Sequence, residues 1–112
     1  MLKKSFVVLV ALIGFGISAN AECIFGNFTY KEDGQTTAYI NISNDCKFSM
    51  KDYESDFSAS GNYEIVGSIN YGGQNTIIFY INGTAHKGTI YFPTQGKWGI
   101  SFDGIYFELN RR

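Results

Sequence analysis

Residues 98–109 read WGISFDGIYFEL, two short runs in which apolar and polar side chains alternate around the dipeptide Asp103-Gly104. Alternation with a period of two is typical of a β-strand with one buried face, and Asp-Gly is a two-residue hairpin signal. A turn there places apolar residues opposite apolar ones, in the pairs Phe102–Ile105, Ile100–Phe107 and Trp98–Leu109. The stretch therefore predicts an antiparallel hairpin with one apolar face.

The same alternation continues back along the chain to residue 22, without helical periodicity. The apolar faces of the other predicted strands are Ile24 to Tyr30, Ala38 to Ile42, Cys46 to Met50, Tyr63 to Tyr71, Ile77 to Ile81, and Ile90 with Phe92. A sheet with one apolar face must bury that face. The sequence predicts an all-β domain, a single small antiparallel up-and-down eight-stranded barrel, with a two-sheet β-sandwich as the alternative. The pairing pattern does not separate the two.

Turn residues predict the register of the remaining hairpins. Asn82-Gly83 is a second two-residue signal, which pairs Phe79 with His86 and Ile77 with Gly88. The other turns keep the apolar faces in phase as three-residue loops, namely Glu32-Asp33-Gly34 (Phe28 opposite Ala38), Ser43-Asn44-Asp45 (Ile40 opposite Phe48), Gly72-Gly73-Gln74 (Ile69 opposite Ile77) and Thr94-Gln95-Gly96 (Ile90 opposite Ile100). The longest predicted connection runs from Lys51 to Asn62.

The first 21 residues have the features of a secretory signal peptide. Lys3 and Lys4 give a positive start, residues 6–17 are almost wholly apolar, and Ala19-Asn20-Ala21 is a small-x-small cleavage site. The apolar run is too short for a comfortable membrane span. We expect residues 1–21 to be removed, leaving a domain of residues 22–112 that is secreted or periplasmic and has no stable membrane span.

Processing at Ala21 is expected to leave Glu22 as the N-terminal residue. Cys23 lacks a lipidation signal, because Glu22 and Asn20 occupy the places where a lipoprotein carries a small and an apolar residue. Mass spectrometry of the exported protein should therefore find an unmodified chain that begins at Glu22. An acylated N-terminal Cys23 would contradict this prediction.

The two cysteines of the chain, Cys23 and Cys46, are expected to form a disulfide. An exported chain meets an oxidising compartment, where two cysteines most simply pair. The predicted register places Cys46 at the start of a strand beside Ile42, at the same end of the sheet as Cys23. The N-terminal segment must curl over that end to form the bridge.

The charge balance disfavours nucleic acid as a partner. Of the 9 basic residues, Lys3 and Lys4 belong to the predicted signal peptide, so 7 remain against 10 acidic residues. The only adjacent arginines, Arg111 and Arg112, end the chain, and no basic patch stands out. We expect the partner to be a protein or a small apolar molecule.

No catalytic or metal-binding constellation is predicted. His86 is the only histidine; the register places it on the inner face, with no clear partner carboxylate or nucleophile. Residues 52–56 carry oxygen ligands at alternate positions, but Phe57 and Tyr63 stand where a calcium loop needs Gly and Glu. The protein is therefore expected not to be an enzyme and to need no cofactor or metal.

Other surface and interior features leave alternatives open. Asn27, Asn41 and Asn82 begin glycosylation sequons, which have meaning only in a eukaryotic secretory pathway. Four tyrosines fall on the outer face, as recognition residues or as ordinary strand residues: Tyr39, Tyr80, Tyr91 and Tyr106. Three glycines fall on the inner face, where they leave room for a ligand or, as we favour, for aromatic packing: Gly26, Gly67 and Gly88.

The polar, aromatic and acidic connection Lys51–Asn62 is the predicted binding site. Long loops on a rigid scaffold often carry function, and Tyr53, Asp56 and Ser60 are the candidate contact residues, with Tyr53 as the anchor. The predicted function is a small exported binding or inhibitory module that acts on a protein partner through its loops. The alternative is a carrier of a small apolar ligand inside the barrel.

One resemblance makes that partner more specific. Ser58-Ala-Ser-Gly61 before a strand, in a small exported eight-stranded barrel, resembles the periplasmic inhibitors of c-type lysozyme, which present loop Ser and Lys residues to the lysozyme cleft. The resemblance covers these four residues and implies a hydrolase such as lysozyme as the partner. The chain departs from that family in lacking a following Trp-x-Lys-Gly stretch and a late cysteine.

Overall fold

The computed structural model describes residues 22–110. The predicted signal peptide, residues 1–21, and the terminal Arg111 and Arg112 lie outside the described residues. The eight strands are β1 (Gly26–Glu32), β2 (Gln35–Ile42), β3 (Lys47–Asp52), β4 (Phe57–Ile65), β5 (Gln74–Ile81), β6 (Thr84–Tyr91), β7 (Gly99–Phe102) and β8 (Ile105–Leu109).

The strands form a closed antiparallel barrel in sequence order, as predicted. Closure comes from β1 and β8, where Phe28 pairs with Leu109 and Thr29 pairs with Glu108. This pairing excludes the sandwich alternative, which would leave β1 and β8 on separate sheets. Up-and-down closure removes the exposed strand edges along the paired part of the sheet.

The barrel is filled by side chains from the predicted inner faces. Those that are completely or almost completely buried are Phe28, Ile40, Ile65, Ile77, Phe79, Ile90, Phe92 and Ile100. Edge-to-face contacts join Phe79 to Phe48 and to Phe102, with ring centroids 4.9 Å and 5.1 Å apart. Such packing favours an interior occupied by the protein's own aromatic rings.

The inward glycines provide room for those rings. A Cβ at Gly88 would lie 2.7 Å from the Ser101 carbonyl oxygen and 3.3 Å from the Phe102 ring. A Cβ at Gly26 would lie 2.8 Å from the Phe28 ring. The favoured packing role is therefore confirmed at both positions. The prediction for Gly67 was wrong, because this residue lies in the β4–β5 connection with φ of 79° and open space beside it.

The two hairpins for which the sequence predicts two-residue turns have the predicted register. In β5–β6, Phe79 is opposite His86 and Ile77 is opposite Gly88; in β7–β8, Ile100 is opposite Phe107. Both residues of each turn are left-handed, with φ of 52° and 80° at Asn82-Gly83 and 54° and 80° at Asp103-Gly104. This is the type I′ geometry that matches the twist of the strands, and in these two hairpins, which have no bulge, it sets the register. The predicted pair Ile90–Ile100 of β6–β7 is also confirmed.

In two hairpins for which the sequence predicts three-residue loops, the strand register differs from the prediction by two residues. Phe28 pairs with Ile40, not Ala38, because Asp33-Gly34 is a two-residue turn followed by a bulge between Tyr30 and Lys31. Phe48 pairs with Ile42, not Ile40. The reason in this second hairpin is that Cys46 takes the left-handed position of the turn, with φ of 69°. Both shifts are even numbers of residues, so every side chain stays on its predicted face.

The prediction for β4 was wrong in its bounds. The segment from Lys51 to Asn62, predicted to be a long loop, is a hairpin in which Asp52 pairs with Phe57, so only residues 53–56 form the turn. β4 therefore ends at Ile65, which pairs with Ile77, and Ile69 lies in an eight-residue connection to β5. The stretch 57–62 consists of small and polar residues apart from Phe57, which hides its strand character from a search for apolar alternation.

The N-terminal segment closes the lower end of the barrel, as the disulfide prediction required. Cys23 and Cys46 are bonded, with Cα atoms 5.2 Å apart. Glu22 forms an isolated bridge with Ile65, and its carboxylate accepts a hydrogen bond from the Ile69 N–H at 3.1 Å. The segment thus crosses from β1 to β4 over the open ends of β2 and β3.

Tyr63 holds the same segment from inside. The Tyr63 hydroxyl accepts a hydrogen bond from the Ile24 N–H at 2.8 Å and lies within donating distance of the carbonyl oxygens of Ile24 and Ser43. Burial, with a smaller contribution from the Asp45 carboxylate, raises the pKa of Tyr63 to about 12, although the Ile24 hydrogen bond acts in the opposite direction. The phenol is therefore neutral at physiological pH and serves as a fixed hydrogen-bonding group.

Candidate functional site

The upper end of the barrel, opposite the disulfide, opens into a cleft of about 740 Å³. We call it the mouth cleft; its lining residues are Asp52, Ser55, Phe57, Ile81, Ala85, His86, Lys87, Phe102 and Asp103. A cleft of this volume, with an apolar base and converging polar groups, is of the size that proteins use for recognition.

The mouth cleft exists because the hairpins end at different heights. β4 pairs with β5 only from Asn62 onward, so its first part, Phe57–Gly61, continues past the end of β5 and is paired with β3 alone. β6 pairs with β7 from Thr89 onward, which leaves Thr84–Lys87 beyond the β7–β8 turn. The β3–β4 and β5–β6 hairpins therefore project from the barrel, and the cleft lies between them.

Apolar side chains form the base of the cleft. Phe102 continues the buried aromatic packing upward from Phe79, and Ile81 lies beside it at the end of β5. Phe57 faces the cleft from β4 and is 46% exposed. A large aromatic side chain that remains this exposed on a rigid strand has apolar area available for a partner.

The tip of the β3–β4 hairpin is held by its own side chains. The Asp52 carboxylate accepts a hydrogen bond from the Glu54 N–H at 3.0 Å, and Ser55 also donates to it. These hydrogen bonds, the Glu54 N–H first, hold the pKa of Asp52 below its usual range. At the end of the turn, Asp56 has a left-handed backbone with φ of 62°. The tip of the β3–β4 hairpin therefore has a defined conformation.

Tyr53 and Asp56 meet at this tip around Lys51. The Lys51 ammonium lies 4.0 Å from the Asp56 carboxylate and 5.6 Å from the centre of the Tyr53 ring. The Tyr53 ring also contacts Tyr39, with ring centroids 6.0 Å apart. Tyr53 remains 54% exposed. Two of the three predicted contact residues therefore lie together, on the outside of the hairpin that forms one wall of the mouth cleft.

Ser60 is separated from them. It lies within β4, opposite Ser49, and lines a shallow groove with Tyr39 and Phe57 on the outer side of the same hairpin. The aromatic residues of the cleft that sequence reasoning did not assign to a binding site are Phe57, which is exposed, and Phe102, which is partly buried against the core. A signal was present, because both lie on the inner face by parity and close to a hairpin tip.

Acidic residues surround the mouth. The carboxylates at this end are Glu32, Asp33, Asp52, Glu54, Asp56 and Asp103, and the basic residues there are Lys31, Lys51 and Lys87. Glu32 and Glu54, on neighbouring hairpins, lie close enough that the Glu32 carboxylate is the main cause of the raised pKa of Glu54. The Tyr30 hydroxyl donates to Glu32 at 3.2 Å. This end of the barrel therefore has a negative potential, which attracts cationic partners.

His86 has the predicted position in the strand but its side chain is exposed. Asp52 and Ser55 line the same cleft, yet Asp52 is hydrogen-bonded to Ser55 and to the turn backbone. Among residues 22–110 no hydrogen bond joins the His86 ring to either of them. A serine nucleophile needs the imidazole beside its hydroxyl, with the carboxylate orienting the imidazole. The arrangement present here instead uses Asp52 and Ser55 to stabilise a turn.

The barrel interior is packed with core side chains, and the largest of them are less than 2% exposed. A cavity of about 60 Å³ lies under the mouth, between Ala38, Met50 and Phe107. Small-molecule sites are typically about 300–1,000 Å³.

Within the described residues, no group of three or more His, Cys, Asp and Glu side chains is placed to hold a metal ion. None of residues 22–110 belongs to a helix long and apolar enough to cross a membrane.

Comparison with protein-family models, with curated proteins and with solved structures finds no match to this chain. The function must therefore be inferred from the site itself.

Proposed function

We propose that this protein is an exported, non-enzymatic binding module that captures a basic protein through the mouth cleft and the β3–β4 hairpin beside it. The observation that supports this most directly is the combination of an apolar base with an acidic rim, held between two projecting hairpins. A basic side chain of a partner entering the cleft would place its aliphatic stem on Phe57 and Phe102 and its charge beside Asp52 or Asp103.

The disulfide supports an oxidising extracellular or periplasmic location for this role. The small interior cavity supports binding at the surface over transport of an apolar ligand inside the barrel. A c-type lysozyme is the first partner to test, because the Ser58–Gly61 stretch, which lies in β4, resembles the periplasmic inhibitors of such enzymes. We infer inhibition by occlusion, in which a bound module blocks access to the partner's cleft.

Replacing Tyr53 or Asp56 with Ala is expected to weaken binding of the partner by at least about 1 kcal/mol each, with the fold intact. The Tyr53 variant would lack the exposed aromatic area that contacts the partner, and the Asp56 variant would lack one negative charge of the rim. The measurement is calorimetric titration of the mature protein with a c-type lysozyme, or with the protein it retains from its own envelope or host fluid. Thermal unfolding of each variant checks the fold.

Tyr80→Ala is the matched control, because Tyr80 is a 37% exposed tyrosine on the outer face of β5 that does not line the mouth cleft; its hydroxyl donates to Glu64. It should leave affinity unchanged. Raising the ionic strength should weaken binding of the wild type, since the acidic rim attracts a basic partner. Unchanged affinity in both Tyr53→Ala and Asp56→Ala would place the site elsewhere.

A further inference from the structure

The outer wall formed by β6, β7 and β8 carries an aromatic platform that shares no residue with the mouth cleft. Its centre is Tyr106, which is 45% exposed, together with Tyr91, and the two ring centroids lie 5.9 Å apart. The two side chains project from strands on either side of β7. Between these strands Gly99 of β7 is buried beneath the Tyr106 ring.

Gly99 is what allows the Tyr106 ring to approach the backbone of β7 closely. A Cβ at this position would collide with the hydroxyl oxygen and Cζ of Tyr106 and lie 2.8 Å from Cε1. Any other residue here would push the ring away from the barrel. The ring is therefore held against the Gly99 backbone while the side chain remains 45% exposed, a preorganised arrangement that reduces the entropy lost on binding.

A polar groove of about 280 Å³ runs beside the platform, along the seam between β1 and β8. Tyr106 forms one side of the groove, and Tyr30 and Leu109 also line it. The polar residues of the lining are Thr29, Lys31, Lys97, Glu108 and Asn110. Among the described residues no ion pair joins Glu108 to either lysine. The groove therefore offers a hydroxyl, an amide, a carboxylate and two ammonium groups for hydrogen bonds to a ligand.

We propose that this platform and groove bind an oligosaccharide. A pyranose ring has an apolar face of C–H groups and a rim of hydroxyls. Its apolar face can stack on the exposed part of the Tyr106 ring, while its hydroxyls can reach the donors and acceptors of the groove. The shallow, polar and narrow shape suits a chain of sugar rings. A protein interface would instead need several anchor residues in desolvated pockets.

The probes are two oligosaccharides of similar length, neutral N-acetylglucosamine hexamer and anionic galacturonate hexamer, each titrated into the mature protein and followed by two-dimensional NMR. Binding of either should shift amide signals around Gly99, Tyr106 and Glu108. Preference for the anionic chain would identify Lys31 and Lys97 as the dominant contacts, and preference for the neutral chain would identify stacking. Either result supports the site.

The decisive variant is Tyr106→Ala, which should raise the dissociation constant about tenfold, the effect of losing one buried aromatic face. Tyr106→Phe keeps the ring and should stay within about twofold of the wild type. Tyr80→Ala again serves as the matched control and should have no effect. The proposal is overturned if neither oligosaccharide binds at millimolar concentration, if the shifts map to the mouth cleft, or if Tyr106→Ala binds like the wild type. It is also overturned if the platform proves to contact only the protein partner captured at the mouth.

Discussion

Replacing Cys23 and Cys46 together with Ser is expected to lower the free energy of unfolding by about 2–5 kcal/mol. The bridge joins residues 23 positions apart, and in the chain-entropy model closing such a loop in the unfolded state is worth roughly 3 kcal/mol. For the expected mature domain of 91 residues, each kcal/mol corresponds to a shift in Tm of about 4–8 °C. Thermal and denaturant unfolding of the oxidised wild type and the double variant measure the difference.

Part of the N-terminal segment should remain in place in that variant. Tyr63 still binds the backbone of Ile24, and Glu22 still bridges to Ile65, so these contacts oppose complete release. Addition of a reductant to the wild type should reproduce the loss seen in the double variant. The role given to the bridge would be contradicted if alkylation mapping found two free thiols in the exported protein. It would also be contradicted if the wild type and the double variant had the same Tm.

Replacing Ile100 with Ala is expected to cost about 2–5 kcal/mol of unfolding free energy. Ile100 is fully buried in β7, between Ile90 of β6 and Phe107 of β8. β7 has only four residues and is paired with a strand on each side. The surrounding core therefore has little freedom to collapse into the space left by the missing atoms. Denaturant unfolding with a constant m-value measures the loss.

Ser101→Ala provides the matched control for the face assignment. Ser101 is the next residue along β7, directed to the outer wall, where it is opposite Thr89 and Tyr106. Its truncation should change the free energy of unfolding by no more than about 0.5 kcal/mol. Similar losses at the two positions would refute the assignment of Ile100 to the interior and Ser101 to the outer wall.

The candidate site was predictable only in part. Tyr53 and Asp56 were identified because an acidic, aromatic and polar segment follows a regular strand, and both lie at the hairpin tip. Ser60 was grouped with them because the segment lacked apolar alternation, yet it belongs to a strand. The mouth cleft itself was not foreseen, since it depends on how far each hairpin extends past its neighbour.

The sequence by itself determined the strand class, the number of strands and the face of nearly every apolar side chain. These follow from local causes. Alternation with a period of two assigns a side chain to one face, and Asn82-Gly83 and Asp103-Gly104 require left-handed backbone at both turn positions, which fixes the register of two hairpins. The disulfide was determined in the same way, because only two cysteines exist and the predicted faces placed them at one end.

The tertiary structure decided the register of β1, β2 and β3, the bounds of β4 and the closure of the barrel. A shift of two residues keeps every side chain on its face, so the apolar pattern cannot distinguish Phe28 opposite Ala38 from Phe28 opposite Ile40. The pairing of β1 with β8 has no connecting turn to specify it and arises only when the twisted sheet curls far enough for its two edges to meet. The stagger created by that closure leaves two hairpins projecting, and the cleft between them is therefore a property of the whole barrel.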